Sequence, residues 1–517
     1  ASTVGGALNA TATTGNMTDS GALTIAGTTT LTTSANNATI ALDTTTNAFT
    51  GAVTITTNDD SGTDADVTID GGTTAFILAA STIDGDLTVR SGHASGITDS
   101  GTVTVGGNLL ATTDANSGVI NLGTLAIDGT VALTTNGTGN ATVVNDAGLN
   151  FAASTVGGAL NATATTGNMT DSGALAITGT SSFTTSANNA DITLNNTNAF
   201  TGAITLSTTG TSAHANIDGG TTALNIAASS VAGNLYLRTG NNITDSGTVT
   251  VGYGLVATTD ANNGAINLGT LAVGSTVDLT THGSGNATVV NDAVLIIAAS
   301  EVGGNLAATA TTGNILDNGV LTVAGTSSFT TSQNNADITL NNANAFTGAV
   351  SLNTTGSSAH ATVVDASGLN LGASTVGGNL SATATTGNIS DSGNLTIAGA
   401  STFITGASGS NIILDSSGNA FSNAVTLQAD AGNETFGNIT FVDSGAVRLH
   451  SSASADGDLY INASTDAAVG GNLNVTATTG NIRQGRAVAV AGTSSFTTSA
   501  NNATIALDTT TNAFTGA

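Results

Sequence analysis

The chain has 517 residues with 67 glycines, no cysteine, no proline, no tryptophan and aromatics at only 3%. Charged residues are 7% and the formal net charge is −28, carried without a single lysine. This excludes the basic footprint of a nucleic-acid binder, thiol catalysis, thiolate metal sites and a lysine-bearing phosphate loop, and it disfavours anionic membranes. Hydrophobic content of 39% is still too high for a disordered chain. An interior can form, filled by Val, Ile, Leu and Ala rather than by large rings.

From the first residue the chain repeats itself. ASTVGGALNATATTGNMTDSGAL, from Ala1 to Leu23, recurs unchanged from Ala153 to Leu175. Its opening motif sets a β-branched residue before a glycine pair or a relative of one, at Val4, Ile83, Val156, Val231, Val302, Val376 and Val469. These are spaced by 79, 73, 75, 71, 74 and 93 residues and give units near 1-78, 79-152, 153-226, 227-298, 299-372, 373-465 and 466-517. Two subtypes alternate at first, because the segments around Arg90 and Arg238 share ITDSGTVTVG and later NATVVNDA. The closing segment Ala491 to Ala517 nearly repeats Ala26 to Ala52, which reads as a fragment of a longer chain.

Inside a unit, apolar residues alternate with Thr, as in Val53-Thr54-Ile55, Ile192-Thr193-Leu194, Ile204-Thr205-Leu206 and Val425-Thr426-Leu427. That period of two predicts short strands with one buried face, separated by turns of Gly, Asn, Asp and Ser. Phenylalanine keeps two slots. One is the Asn-Ala-Phe motif at Phe49, Phe200, Phe346, Phe421 and Phe514, and the other holds Phe183, Phe329, Phe403 and Phe496, with Leu31 in the first copy. Large side chains at fixed places predict inward stacks. A sandwich array would repeat at roughly 100 residues with linkers between beads. The expected fold is therefore all-β, a right-handed parallel β-helix (β-solenoid) running as one continuous segment over 1-517. The 93-residue gap exceeds its neighbour by 19, so an insert of one coil would make a 74-residue unit four coils of about 18.5 residues, about 28 coils in all. Three coils of about 25 is the alternative.

Gly-Gly-Asn-Leu, Thr-Ala-Thr-Thr-Gly-Asn-Ile, Asp-Ser-Gly, Leu-Thr-Ile-Ala-Gly and Ser-Ser-Phe-Thr-Thr resemble the repeats of filamentous-haemagglutinin-like exoproteins, over essentially all of the chain. The resemblance implies a β-helical shaft of a large two-partner-secretion adhesin, secreted to the cell surface through an outer-membrane partner. The expected role is a structural stalk or fibre segment that contacts a host cell, a neighbouring cell, an extracellular polysaccharide or, by lateral or end-to-end self-association, other shafts. Nucleic acid and membrane insertion are not expected partners. The rival reading is a polysaccharide-binding or polysaccharide-cleaving β-helix.

No catalytic, cofactor or metal residue is assigned, and each candidate has a plainer reading. Asp59, Asp60, Asp64, Asp66 and Asp70 offer carboxylates to calcium, but only Asp70 recurs, as Asp218 and Asp365, and a solvated polar loop is preferred. The Asp of Asp-Ser-Gly, at Asp19, Asp99, Asp171, Asp245 and Asp391, reads as a turn former. Arg90 and Arg238 point outward by alternation and read as surface residues. His214 and His360 sit in related Ser-Ala-His contexts, and the glutamates, Glu301 and Glu434, stand alone. Asn-x-Thr sites such as Asn9 and Asn37 follow from the abundance of both residues.

Overall fold

The computed structural model describes residues 1–58, 65–429, 437–449, 458–461 and 467–516. Among them the regular elements are strands, paired in parallel and in register, and the fold is a β-solenoid of about 23 coils. It divides into two bodies, Ala1–Asp260 and Ala261–Ala517.

In the first body, one coil shows how the sequence closes a turn. A short side, Leu160–Ala164, turns Leu160, Ala162 and Ala164 inward and leaves Asn161 and Thr163 outward. A long side follows, made of Met169–Asp171 and Leu175–Ile177, with Met169, Leu175 and Ile177 buried. The chain then returns with Ser181 beside Leu160. The inward residues of both sides form the core, and alternate side chains must be polar for this to work. Corners impose their own demand. A Cβ on Gly179 would lie 2.5 Å from the carbonyl carbon of Gly158, and one on Gly202 would lie 2.3 Å from the carbonyl oxygen of Gly179. The second glycine of the opening motif, Gly158, thus stands in a column of corners stacked too closely for a side chain at these positions.

Coil length varies with the side being closed. Ala141 pairs with Leu160, Leu160 with Ser181 and Ser181 with Ile204, so successive coils hold 19, 21 and 23 residues. The order of sides explains the repeat. Starting at Leu87, the unit runs short (Leu87–Ser91), long (Ile97–Asp99 with Val103–Val105), short (Leu109–Asn116), long (Ile120–Ile127), short (Thr130–Asn136), short (Ala141–Asn145) and long (Leu149–Phe151 with Ser154–Val156). Seven sides make three and a half coils. Consequently each unit begins on the sheet opposite to its predecessor. From Leu8 the ladder climbs through Thr29, Val53, Leu78 (in the strand Phe76–Leu78), Ile97, Ile120 and Ala141 to Leu160, seven rungs for two units. Leu87 and Leu235 lie in the other sheet. The second body does the same, with Leu306 and Leu473 in one sheet and Leu380 in the other.

Two expectations about the coils are corrected by this pattern. Coils hold about 22 residues on average rather than 18.5, and there are about 23 rather than 28. Dividing a unit into whole coils was the error. A coil of two sides only requires a whole number of sides per unit, and here that number is odd. The sixth unit is longer than its neighbour by 19 residues. Fifteen of them enter between Val447–Leu449 and Ala467–Val469, two strands that correspond to Leu369–Leu371 and Ser374–Val376 of one long side, and the strand Asp458–Ile461 within this stretch pairs with Val425–Gln428 and Val447–Leu449.

The two phenylalanine slots are inward and meet across the coil. Phe183 and Phe200 are edge-on with centroids 5.8 Å apart, Phe329 and Phe346 at 5.9 Å, and Phe403 and Phe421 at 6.1 Å. Such pairs add about 0.5–1.5 kcal/mol each to the burial of their area.

Candidate functional site

Three recurrent arrangements of polar side chains decorate the coils. The first absorbs the Asp-Ser-Gly motif. The Asp171 carboxylate reaches one coil on, where it accepts the N–H groups of Asn195 (3.0 Å) and Asn196 (3.3 Å) and the Nδ2 of Asn198 (2.8 Å). Asn198 is 1% exposed, and its Oδ1 accepts the Leu175 N–H at 2.7 Å while its Nδ2 also donates to the Leu194 carbonyl. Asp19 with Asn47, and Asp391 with Asn419, repeat the clamp. So does Asp317 with Asn344, in an Asp-Asn-Gly variant that motif reading passed over. Asp99 accepts Gly123 N–H, Thr124 N–H and the Thr124 hydroxyl, and Asp245 occupies the same strand position. These aspartates serve the next coil's loop rather than their own turn. The loop bulges out of the sheet, so its N–H groups lack strand partners and need an acceptor.

The second arrangement is a ladder along one corner. Asn168 Oδ1 accepts the Asp191 N–H (2.9 Å), Asp191 Oδ1 accepts that of His214 (2.7 Å), His214 Nδ1 accepts that of Asn234 (2.9 Å), and Asn234 Oδ1 accepts that of Gly254 (2.9 Å). Asn314, Asp337, His360 and Asn379 repeat it, ending on Ala400. Each rung needs one acceptor atom, which Asn, Asp and an unprotonated Nδ1 all supply. The two histidines are rungs. Accepting at Nδ1 places their ring proton on Nε2.

The third is outward and rare. Asp218, Arg238 and Thr258 stand in register on three successive coils, and Asp260 Oδ2 accepts Arg238 Nε at 2.7 Å. That bond holds the guanidinium above its ordinary pKa. Around Arg90 the same residues return. Arg90 Nη2 donates to both Asp114 oxygens at 2.9 Å, and Asp70 lies 4.0 Å from its Nε. Burial pushes the Asp70 carboxyl up, against the Gly72 N–H and Arg90, which pull it down. Both arginines are exposed, as alternation predicts, with 46% and 61% of their side chains open. Their partners Asp114 and Asp260 went unnoticed in the sequence, although each follows its arginine by one coil, 24 and 22 residues on. Beside Arg238 runs a second outward row, Asn216, Tyr236 and Val256, and the two rows border a groove of about 330 Å³.

A family described as repeats of unknown function (DUF5649) matches residues 1–56, 64–122, 138–207, 212–269, 284–353, 358–428 and 436–517. The chain belongs to this family. No match was found among curated proteins or among solved structures.

Within the DUF5649 copies, the clamp returns from unit to unit and the corner ladder runs over successive coils, whereas the Arg strip stands in two copies of the first body. The other candidates are spoken for locally. Asp70, Asp218 and Asp365 each accept the N–H two residues on, from Gly72, Gly220 and Ser367. Asp66 accepts the N–H of Asp86. Asp59, Asp60, Asp64 and Glu434 lie outside the described residues. Glu301 faces outward between Thr280 and Thr322. Among the described residues, no group of three His, Asp or Glu side chains could hold a metal ion. Asn9 is exposed, and Asn37 turns the chain at φ 58°.

Proposed function

We propose that this chain is a shaft segment of a large secreted bacterial adhesin of the filamentous-haemagglutinin kind, exported through an outer-membrane partner and holding an adhesive region away from the cell. The observation that carries this reading is that the recurrent polar residues are consumed by coil-to-coil bonds. Asp171 and Asn198 close a loop, His214 is a rung, and what repeats is the means of stacking. Repetition of that kind suits length, since each unit adds the same interface to its neighbour. The three-and-a-half-coil unit supports it further, because a copy can be gained or lost at an in-register junction.

The test is immunogold microscopy of intact cells of the source organism with antibodies against this segment. Label along thin projections outside the outer membrane is expected, and removing residues 160–234, one unit, should leave secretion and attachment in place. Label confined to the cell interior would overturn the reading. Attachment to host cells, neighbouring cells or other shafts belongs to the same proposal.

A further inference from the structure

We propose that the groove beside Tyr236 is a saccharide site that takes a neutral sugar ring of a polysaccharide chain. The residue at this point of the opening strand is Asn9, Thr88, Asn161, Ala307, Ser381 and Asn474 in the other copies, and Tyr236 in this one. It faces outward and is 39% exposed, so the ring contributes little to the core. Nor does it swing freely, for Asn234 Nδ2 donates to its hydroxyl at 3.0 Å while Asn234 Oδ1 is fixed by the Gly254 N–H. An aromatic face held in a groove lined mainly by polar residues is a recognition feature.

The rest of the groove supplies what a sugar requires. Asn195, Asn216, Asp218, Arg238 and Thr258 line it with Tyr236, and Leu237 and Val256 complete the lining. One oxygen of Asp218 is engaged by the Gly220 N–H, and Arg238 is engaged through Nε. The carboxylate and the guanidinium are planar, paired-atom groups that match vicinal hydroxyls, and the ring face matches the C–H face of a pyranose. Charge selects the class. Two carboxylates, Asp218 and Asp260, flank one guanidinium in a chain of net charge −28, so polyanions are repelled. An apolar ligand would strand the polar lining without partners. The strip at Arg90 has the same ions but Thr88 in place of the tyrosine, and it lacks the stacking surface.

Affinity electrophoresis of the whole chain through native gels containing mannan, dextran, β-1,3-glucan or alginate tests the site. Retardation by at least one neutral polymer, and not by alginate, is expected. Tyr236→Ala should weaken it about tenfold or more, and Asp218→Asn should weaken it too. Tyr253→Ala removes another exposed tyrosine, 51% open and outside the groove lining, and should bind as the unaltered chain does. Circular dichroism of each variant should be unchanged. Absence of retardation by every neutral polymer, retardation by alginate alone, or full binding by Tyr236→Ala would overturn the proposal. Because it rests on the groove and not on the shaft reading, either can fail without the other.

Discussion

The corners at Asn291 and at Asp443 face the same task with different chemistry. Each must satisfy the N–H of the residue that ends the long side one coil earlier, Val273 in one case and Phe421 in the other. Asn291 accepts that N–H at 2.8 Å and uses its amide protons on the carbonyls of Val273 and Val294, so both halves of the side chain are employed. Asn145 does likewise with Ile127 and Gly148. Asp443 accepts the Phe421 N–H at 3.3 Å but has no proton to return, and burial pushes its carboxyl above the usual range despite the N–H groups of Gly445, Phe421 and Ser444. Thr222 meets the same need at Phe200 with a hydroxyl. The solenoid therefore selects for an acceptor atom at a point in space, and the residue that supplies it sets the cost.

Four substitutions break or sharpen this contrast. Phe346→Asp should have the largest effect, because it buries a second carboxylate beside Asp365, whose Oδ2 already accepts the Phe346 N–H. A loss of about 4 kcal/mol or more is expected, with hydrogen-exchange protection lost from Asn344 to Leu352. Asn291→Leu strips three hydrogen bonds from backbone groups, two of them buried, and should cost about 3 kcal/mol in denaturant unfolding, with the Val273 amide exchanging fastest.

Asp443→Asn should act in the opposite direction. The folded-state pKa of Asp443 is raised above its unfolded value, so the charged carboxylate is destabilising at neutral pH, and the penalty is relieved as pH falls through the folded pKa. The variant should gain about 1 kcal/mol at pH 7, and its advantage should shrink on acidification. An advantage independent of pH would locate the gain elsewhere. Arg238→Ala should be smallest, within about 0.5 kcal/mol, since its ion pair with Asp260 is solvent-exposed on both sides.

Strands, their inward residues and the phenylalanine stacks were legible in the sequence, because alternation such as Ile192-Thr193-Leu194 and the fixed places of Phe183 and Phe200 report burial directly. Coil length was not. Sequence shows where a unit restarts but not which sheet receives it, and Val156 and Val231 look alike whether they share a face or oppose each other. The clamp was half legible. Asp171 stood out through its turn-like neighbours, while its true partner Asn198 lies 27 residues on, in a motif marked by its phenylalanine. Asp260 escaped for the same reason, being adjacent to Arg238 only once the coil length is known.

The half-integral unit rests on a coil of 21 residues at Leu160, and the absence of cysteine makes this directly measurable. Thr163 and Thr184 are in register on adjacent strands, both outward, whereas Thr163 and Ser182 are offset by two residues along the sheet. Cα atoms in register lie about 4.8 Å apart, within disulfide reach, and the offset pair lies beyond about 7 Å. Under mild oxidation the double variant Thr163→Cys/Thr184→Cys should crosslink and Thr163→Cys/Ser182→Cys should not. Crosslinking of the second pair alone would restore a coil of about 18.5 residues and contradict the alternation of faces.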